Sequence, residues 1–157
     1  MLVKFITDIN LGKLAKWLRI LGYDTVLYTR NANSEFLRKA EKDERVVLTR
    51  KKDMADRLFS GHLVIINSDH VKDQLHEVME KLTFLPDADR MFTICVKCNE
   101  ALMEVERQEI SGIVPDYVFM SHSEFHVCPR CKGVFWPGTH RDKVQNYLRT
   151  HIQCHRP

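Results

Sequence analysis

The stretch "LVKFITDINLGKLAKWLRILG", residues 2–22, decides how the chain is to be read. Five of its first six residues are apolar or β-favouring, and the run stops at Asp8, the pattern of a short buried strand. Leu11, Leu14, Ala15, Leu18 and Leu21 then recur at helical spacing, and Gly22 falls where a helix C-cap belongs. A strand that runs straight into an amphipathic helix is the opening of a βαβ unit.

The alternation continues along the chain. "TVLY" reads as a second strand. "EFLRKAEKDE" reads as a helix capped by Ser34, with Phe36, Leu37 and Ala40 on one face. "RVVLT" is a third strand, "KDMADRLFS" a short helix, and "HLVII" a fourth strand. In "HVKDQLHEVMEKL" the residues Val71, Leu75, Val78 and Leu82 form one stripe. Strands alternating with helices over residues 1 to about 85 imply a parallel sheet with right-handed crossovers in a three-layer α/β domain. Pro86 in "FLPDADR" ends the last helix, and the texture changes by Met91 to cysteine pairs, aromatics and turn residues, which sets a boundary near 86–91.

At 157 residues the chain is long enough for one core domain and a small appendage. Its 44% hydrophobic and 29% charged content is that of a folded globular protein, and a net charge of +3 does not by itself select a partner. The sequence carries no recognisable targeting segment and no run long and apolar enough to span a bilayer, so the cytoplasm is the expected compartment and no membrane partner is expected. Nothing in the sequence sets the oligomeric state.

Two C-x-x-C pairs, Cys95/Cys98 and Cys128/Cys131, are separated by 29 residues. Each is a knuckle that places two thiolates on one metal, and four cysteines close the tetrahedral shell of a structural Zn²⁺. Lys97, Arg130 and Lys132 lie in or beside the knuckles, where they offset the negative charge of a tetrathiolate centre. "EALMEVERQEI" and "VFMSHSEFHVC" supply short strands for a ribbon. A redox role for either pair is disfavoured, because neither sits in a thioredoxin-like βαβ context. Cys154 is left as a plain thiol, since His151 and His155 beside it make a poor second site.

Ligands of open parallel sheets bind outside the carboxyl ends of the strands. Asp8, Asp53 and Asp69 fall at or just beyond those ends, and Glu35 opens the helix after the second strand. Clustered carboxylates there suit Mg²⁺ or Mn²⁺ acting on a phosphodiester. Each acid also has a purely structural role open to it: Asp69 as a helix N-cap beside Ser68, Glu35 as a charge at a helix N-terminus. Asp8 is the acid least readily explained in that way. Lys13, Lys16 and Arg19 lie about a turn apart on the first helix, and Arg50, Lys51 and Lys52 share the loop after the third strand. Together they form a candidate RNA-backbone surface.

"FITDINLGKLAKWLRILGYDT", "ERVVLTR" and "CPRCKGVFWPGTH" resemble, in this order, the Mut-7-C RNase family, a PIN-like nuclease domain followed by a zinc ribbon. The resemblance implies residues 1–88 as the PIN-like α/β domain and 89–157 as the zinc ribbon with a C-terminal helix. It also implies divalent-metal ribonuclease activity and a structural zinc. Asp8 takes the place of the first family acid, the four cysteines that of the zinc ligands, and Gly138, Thr139 and His140 that of a G-[ST]-H signature. Lys51 stands where the family pattern L-T-R-D has its acid, and "NANS" stands before Glu35 in place of an acidic segment. Three functions follow as expectations. The first is an Mg²⁺- or Mn²⁺-dependent endoribonuclease in which Asp8 holds metal, Glu35 and Asp69 complete its shell and Asp53 substitutes for the lost acid. The second is a non-catalytic RNA-binding or ribonucleoprotein module, and the third a zinc-ribbon interaction adaptor.

Overall fold

The structure is a computed structural model that describes residues 2–152. Cys154 and His155 lie outside the described residues. The chain divides into two compact units, residues 1–99 and 100–157. The division falls after Asn99, so residues 89–99, the first cysteine knuckle included, pack with the α/β unit.

The first unit has four strands, β1 (Phe5–Thr7), β2 (Thr25–Leu27), β3 (Val46–Thr49) and β4 (Leu63–Ile65). All pair in parallel, in the order β2-β1-β3-β4. Helices α1 (Gly12–Ile20), α2 (Ser34–Lys42) and α3 (Val71–Leu82) alternate with them. This is the parallel α/β architecture expected from the periodicity. The two central strands are buried on both faces, with Phe5, Ile6, Val47 and Leu48 at 0% exposure, as their apolar runs require.

Strand order places the functional edge. The chain steps from β1 outward to β2, then returns across β1 to β3, so the order reverses between β1 and β3. In an open parallel sheet the crevice outside the carboxyl ends at such a reversal is the ligand position. Asp8 and Arg50 are the residues that leave β1 and β3 there.

Local chemistry sets the helix ends, not always at the expected residue. Asn33, rather than Ser34, caps α2 by accepting the N–H groups of Glu35 and Phe36; its side-chain oxygen reaches two donors and Ser34 becomes the first helical residue. Residues Lys52–Asp56 form a 3-10 segment in place of the expected α-helix. Only Met54 is buried in it, so no apolar stripe exists to hold a longer helix against the sheet. Asp69 is not the cap of α3: the N-cap is His70, which makes no side-chain cap bond. Gly22 is the C-terminal stop expected for α1, at φ +85°, and a Cβ there would fall 2.1 Å from the Arg90 carbonyl oxygen. Only glycine fits.

The second unit holds an antiparallel sheet of β5 (Met103–Val105), β6 (Phe125–Val127) and β7 (Val134–Phe135), with α4 (Asp116–Ser121) and α5 (Thr139–His151). Ile110, Val114, Val118 and Phe125 make its small core, with Val105, Phe119, Val127 and Val134 packed around them. The two segments expected to supply ribbon strands contribute β5 and β6, and the second also forms part of α4.

Candidate functional site

Asp8 lies at the β1/β3 reversal and is 2% exposed. One carboxylate oxygen accepts the Asn10 N–H at 2.8 Å, capping the short 3-10 turn at Ile9–Leu11. The other accepts the Thr49 hydroxyl at 2.6 Å and the Arg50 N–H at 2.9 Å. Three uncharged donors from two strand ends thus converge on one buried carboxylate. That arrangement offsets its desolvation and locks the ends of β1 and β3 together.

The other acids are not gathered around it. Glu35 pairs with Arg30 at 3.3 Å, Asp53 with Arg57 at 3.5 Å, and Asp69 with Arg50 at 2.6 Å. Their side chains are all more than half exposed, and each has its own cation. A hydrogen bond and the charge of Arg50 hold the Asp69 carboxyl below its ordinary range. The same guanidinium donates to the Ser68 carbonyl at 2.8 Å, so Arg50 pins the loop between β4 and α3 to the end of β3.

Lys51, at the position of the missing acid, turns the other way. Its ammonium donates to Asn31 Oδ1 at 3.2 Å and to the Ala32 carbonyl at 3.0 Å. It therefore anchors the loop between β2 and α2 through neutral acceptors, and it is Arg50 that meets a carboxylate. Arg50 and Lys51 together brace three loops at the carboxyl edge.

An Mg²⁺ or Mn²⁺ ion demands several oxygen ligands in near-octahedral array. Among the described residues, Asp8, Glu35, Asp53 and Asp69 form no group of three or more side chains within reach of one ion. As placed, they do not fit a shared divalent metal.

The six basic residues also separate. Lys13, Lys16 and Lys52 are exposed, and Lys13 lines an open cleft at the edge with Asn10, Asp69, His70 and Lys72. Arg19 departs from the expected outer face of α1. It is 9% exposed and donates to the carbonyls of Thr25 at 2.9 Å, Val96 at 2.7 Å and Lys97 at 3.4 Å. Burial pulls its pKa down, while the nearby Cys95, Asp24 and Cys98 oppose that shift. Arg19 is thus a bolt between α1 and the first cysteine knuckle, not a surface cation. The pattern held a signal for this: Arg19 lies one helical turn beyond buried Ala15, at the border of the apolar arc.

The cysteines do converge. The sulfurs of Cys95, Cys98, Cys128 and Cys131 lie within 4.8 Å of one another. In a thiolate tetrahedron with metal–sulfur bonds of about 2.3 Å the sulfurs stand about 3.8 Å apart, so this donor set fits Zn²⁺. Both knuckles fold alike. The N–H of Asn99 donates to the Cys95 carbonyl and that of Lys132 to the Cys128 carbonyl, each at 2.9 Å. Both closing residues adopt the left-handed region, at φ +60° and +62°. Asn99 adds a tie that spacing could not show: its side chain accepts the Thr25 N–H at 2.8 Å and donates to Asp24 at 2.6 Å.

A parallel α/β sheet followed by a four-cysteine site able to hold a structural metal defines the class of protein. A family model described as the Mut7-C RNAse domain matches residues 3–148, nearly the whole chain. The chain belongs to the Mut7-C RNase domain family. A nuclease-type function and RNA as the substrate class come with that membership. No curated protein and no solved structure matches the chain. No helix among the described residues is long and apolar enough to cross a membrane.

Proposed function

We propose that this chain binds the phosphodiester backbone of RNA at the carboxyl edge of its parallel sheet, and that its own cations hold the hydrolytic centre of that edge shut. The observation that carries this reading is the pairing of Arg50 with Asp69, made while Asp8 is saturated by Thr49, Arg50 and Asn10. A resting site of this kind has no spare carboxylate cluster to recruit a cation. Exposed Lys13, Lys16 and Lys52 flank the edge and supply the long-range attraction for a polyanion. Residues 1–88 act in this reading as the PIN-like domain, and residues 89–157, with the four cysteines, as its zinc ribbon. A thiolate metal site suits the reducing cytoplasm.

A second reading is a PIN-like divalent-metal endoribonuclease. It is favoured by family membership and by the place of Asp8 at the strand-order reversal. It requires the exposed pairs at Glu35, Asp53 and Asp69 to exchange partners when RNA and metal arrive.

The test measures RNA affinity in chelator-free buffer without Mg²⁺ or Mn²⁺, then cleavage of a mixed RNA pool with each ion added. Binding without divalent ions, with slow or no cleavage after their addition, is the expected result. Rapid Mn²⁺-dependent cleavage by the unaltered chain overturns the shut-site reading in favour of the second. Failure to bind RNA at all overturns both.

A further inference from the structure

Residues 100–157 carry a cleft that the carboxyl edge does not use. It is lined by Tyr117, Phe135 and Trp136 together with His122, Thr139 and His140. The core of this unit is complete without the first group: Ile110, Val114, Val118 and Phe125 fill it. Tyr117 is 74% exposed on α4 and Trp136 is 36% exposed beyond β7. Two large aromatic side chains thus border one opening instead of closing a core.

The cleft also offers hydrogen-bonding groups. The side chains of Trp136, Thr139 and His140 make no hydrogen bond with other described residues. His122 uses its Nδ1 toward Ser121 and the Val118 carbonyl, which leaves its Nε2 without a hydrogen bond to other described residues. Gly138 packs beside the indole: a Cβ there would lie in ordinary van der Waals contact with the Trp136 nitrogen, at 3.6 Å.

Flat aromatic faces beside outward donors and acceptors match one class of ligand within an RNA-directed family. An unpaired base presents a π-face for stacking and an edge for hydrogen bonds. We propose that this cleft is a nucleobase subsite. An unpaired base of single-stranded RNA stacks on Trp136, Tyr117 flanks it, and Thr139, His140 and His122 meet its edge. The inference rests on the RNA reading above and adds to it a demand for unstacked bases, which a backbone surface alone does not make.

The experiment uses the zinc-replete full chain and two labelled probes of equal length, a short oligoadenylate and its abasic counterpart, followed by fluorescence anisotropy. The natural chain should prefer oligoadenylate. Trp136→Ala should weaken that probe about 5- to 150-fold, the 1–3 kcal/mol of one stacked base, and leave the abasic probe unchanged. Trp136→Phe should keep most of the affinity. Tyr117→Ala, at an exposed position that folding does not need, should weaken it in the same selective way. Equal affinity for both probes, or variants that bind oligoadenylate like the natural chain, overturns the subsite and leaves backbone binding standing. If the natural chain binds neither probe, the RNA reading falls and the subsite with it.

Discussion

Glu77 gives the sharpest test of how the carboxyl edge is held. It sits on α3, with its side chain 12% exposed, and reaches back to the loop that carries Ser68 and Asp69. Its oxygens accept the Asn67 N–H at 3.0 Å, the Ser68 N–H at 3.1 Å, the Ser68 hydroxyl at 2.9 Å and the Lys81 ammonium at 2.6 Å. Burial alone pushes its pKa up. Lys81 and the donors of Asn67 and Ser68 overcome that and bring it from 4.5 to about 2. A carboxyl held that low in the folded state and near its ordinary value in the unfolded chain contributes about 3 kcal/mol at neutral pH. Because the folded value is depressed, this stability is fully present above about pH 4.5 and is lost as pH falls toward 2. Glu77→Gln should therefore cost about 3 kcal/mol at pH 7, and the gap from the natural chain should close as the pH drops. Urea unfolding of both proteins between pH 7 and pH 3 measures the gap, and taking the difference cancels the acid loss of zinc common to both. A gap that stays constant across that range would refute the reasoning, because it would mean the cost is one of packing and not of charge.

The remaining predictions concern the metal, its support and the edge. The chain should hold one Zn²⁺ at its four thiolates, checked by elemental analysis, and Cys98→Ser should abolish it while amide exchange still reports a folded parallel sheet. Arg19→Met keeps the stem but strands the carbonyls of Thr25 and Val96, so it should cost about 2–4 kcal/mol in urea unfolding and weaken Co²⁺ binding read from the thiolate absorption bands. Lys51→Asp removes the tether to Asn31 and Ala32 and adds an acid at the end of β3. Calorimetry should then show tighter Mn²⁺ binding than in the natural chain, and cleavage should rise. A Lys13→Ala/Lys16→Ala pair should lower RNA affinity and flatten the dependence of log K on log salt by about one for each phosphate that is no longer neutralised.

How much of this was legible in the sequence depends on the range of the interactions. Strand and helix periodicity is local, so residues 2–22 and their successors already specified a parallel α/β sheet. The C-x-x-C spacing is equally local, and it foretold the four-thiol cluster. Gly22 announced its turn because only a residue without Cβ tolerates that conformation. The partners of charged groups were not legible, because they depend on which loops the sheet order brings together. Arg50, not Lys51, meets Asp69 because the loop after β4 arrives beside the end of β3. Lys51 instead finds the loop after β2. Arg19 looked like one more surface cation until residues 96 and 97, far along the chain, supplied carbonyls for it. The place of each edge acid along the chain follows from the strand pattern, but what it binds was decided by segments distant in sequence. Periodicity records which face of an element is buried; only the tertiary fold decides which charges share a loop and are spent on one another.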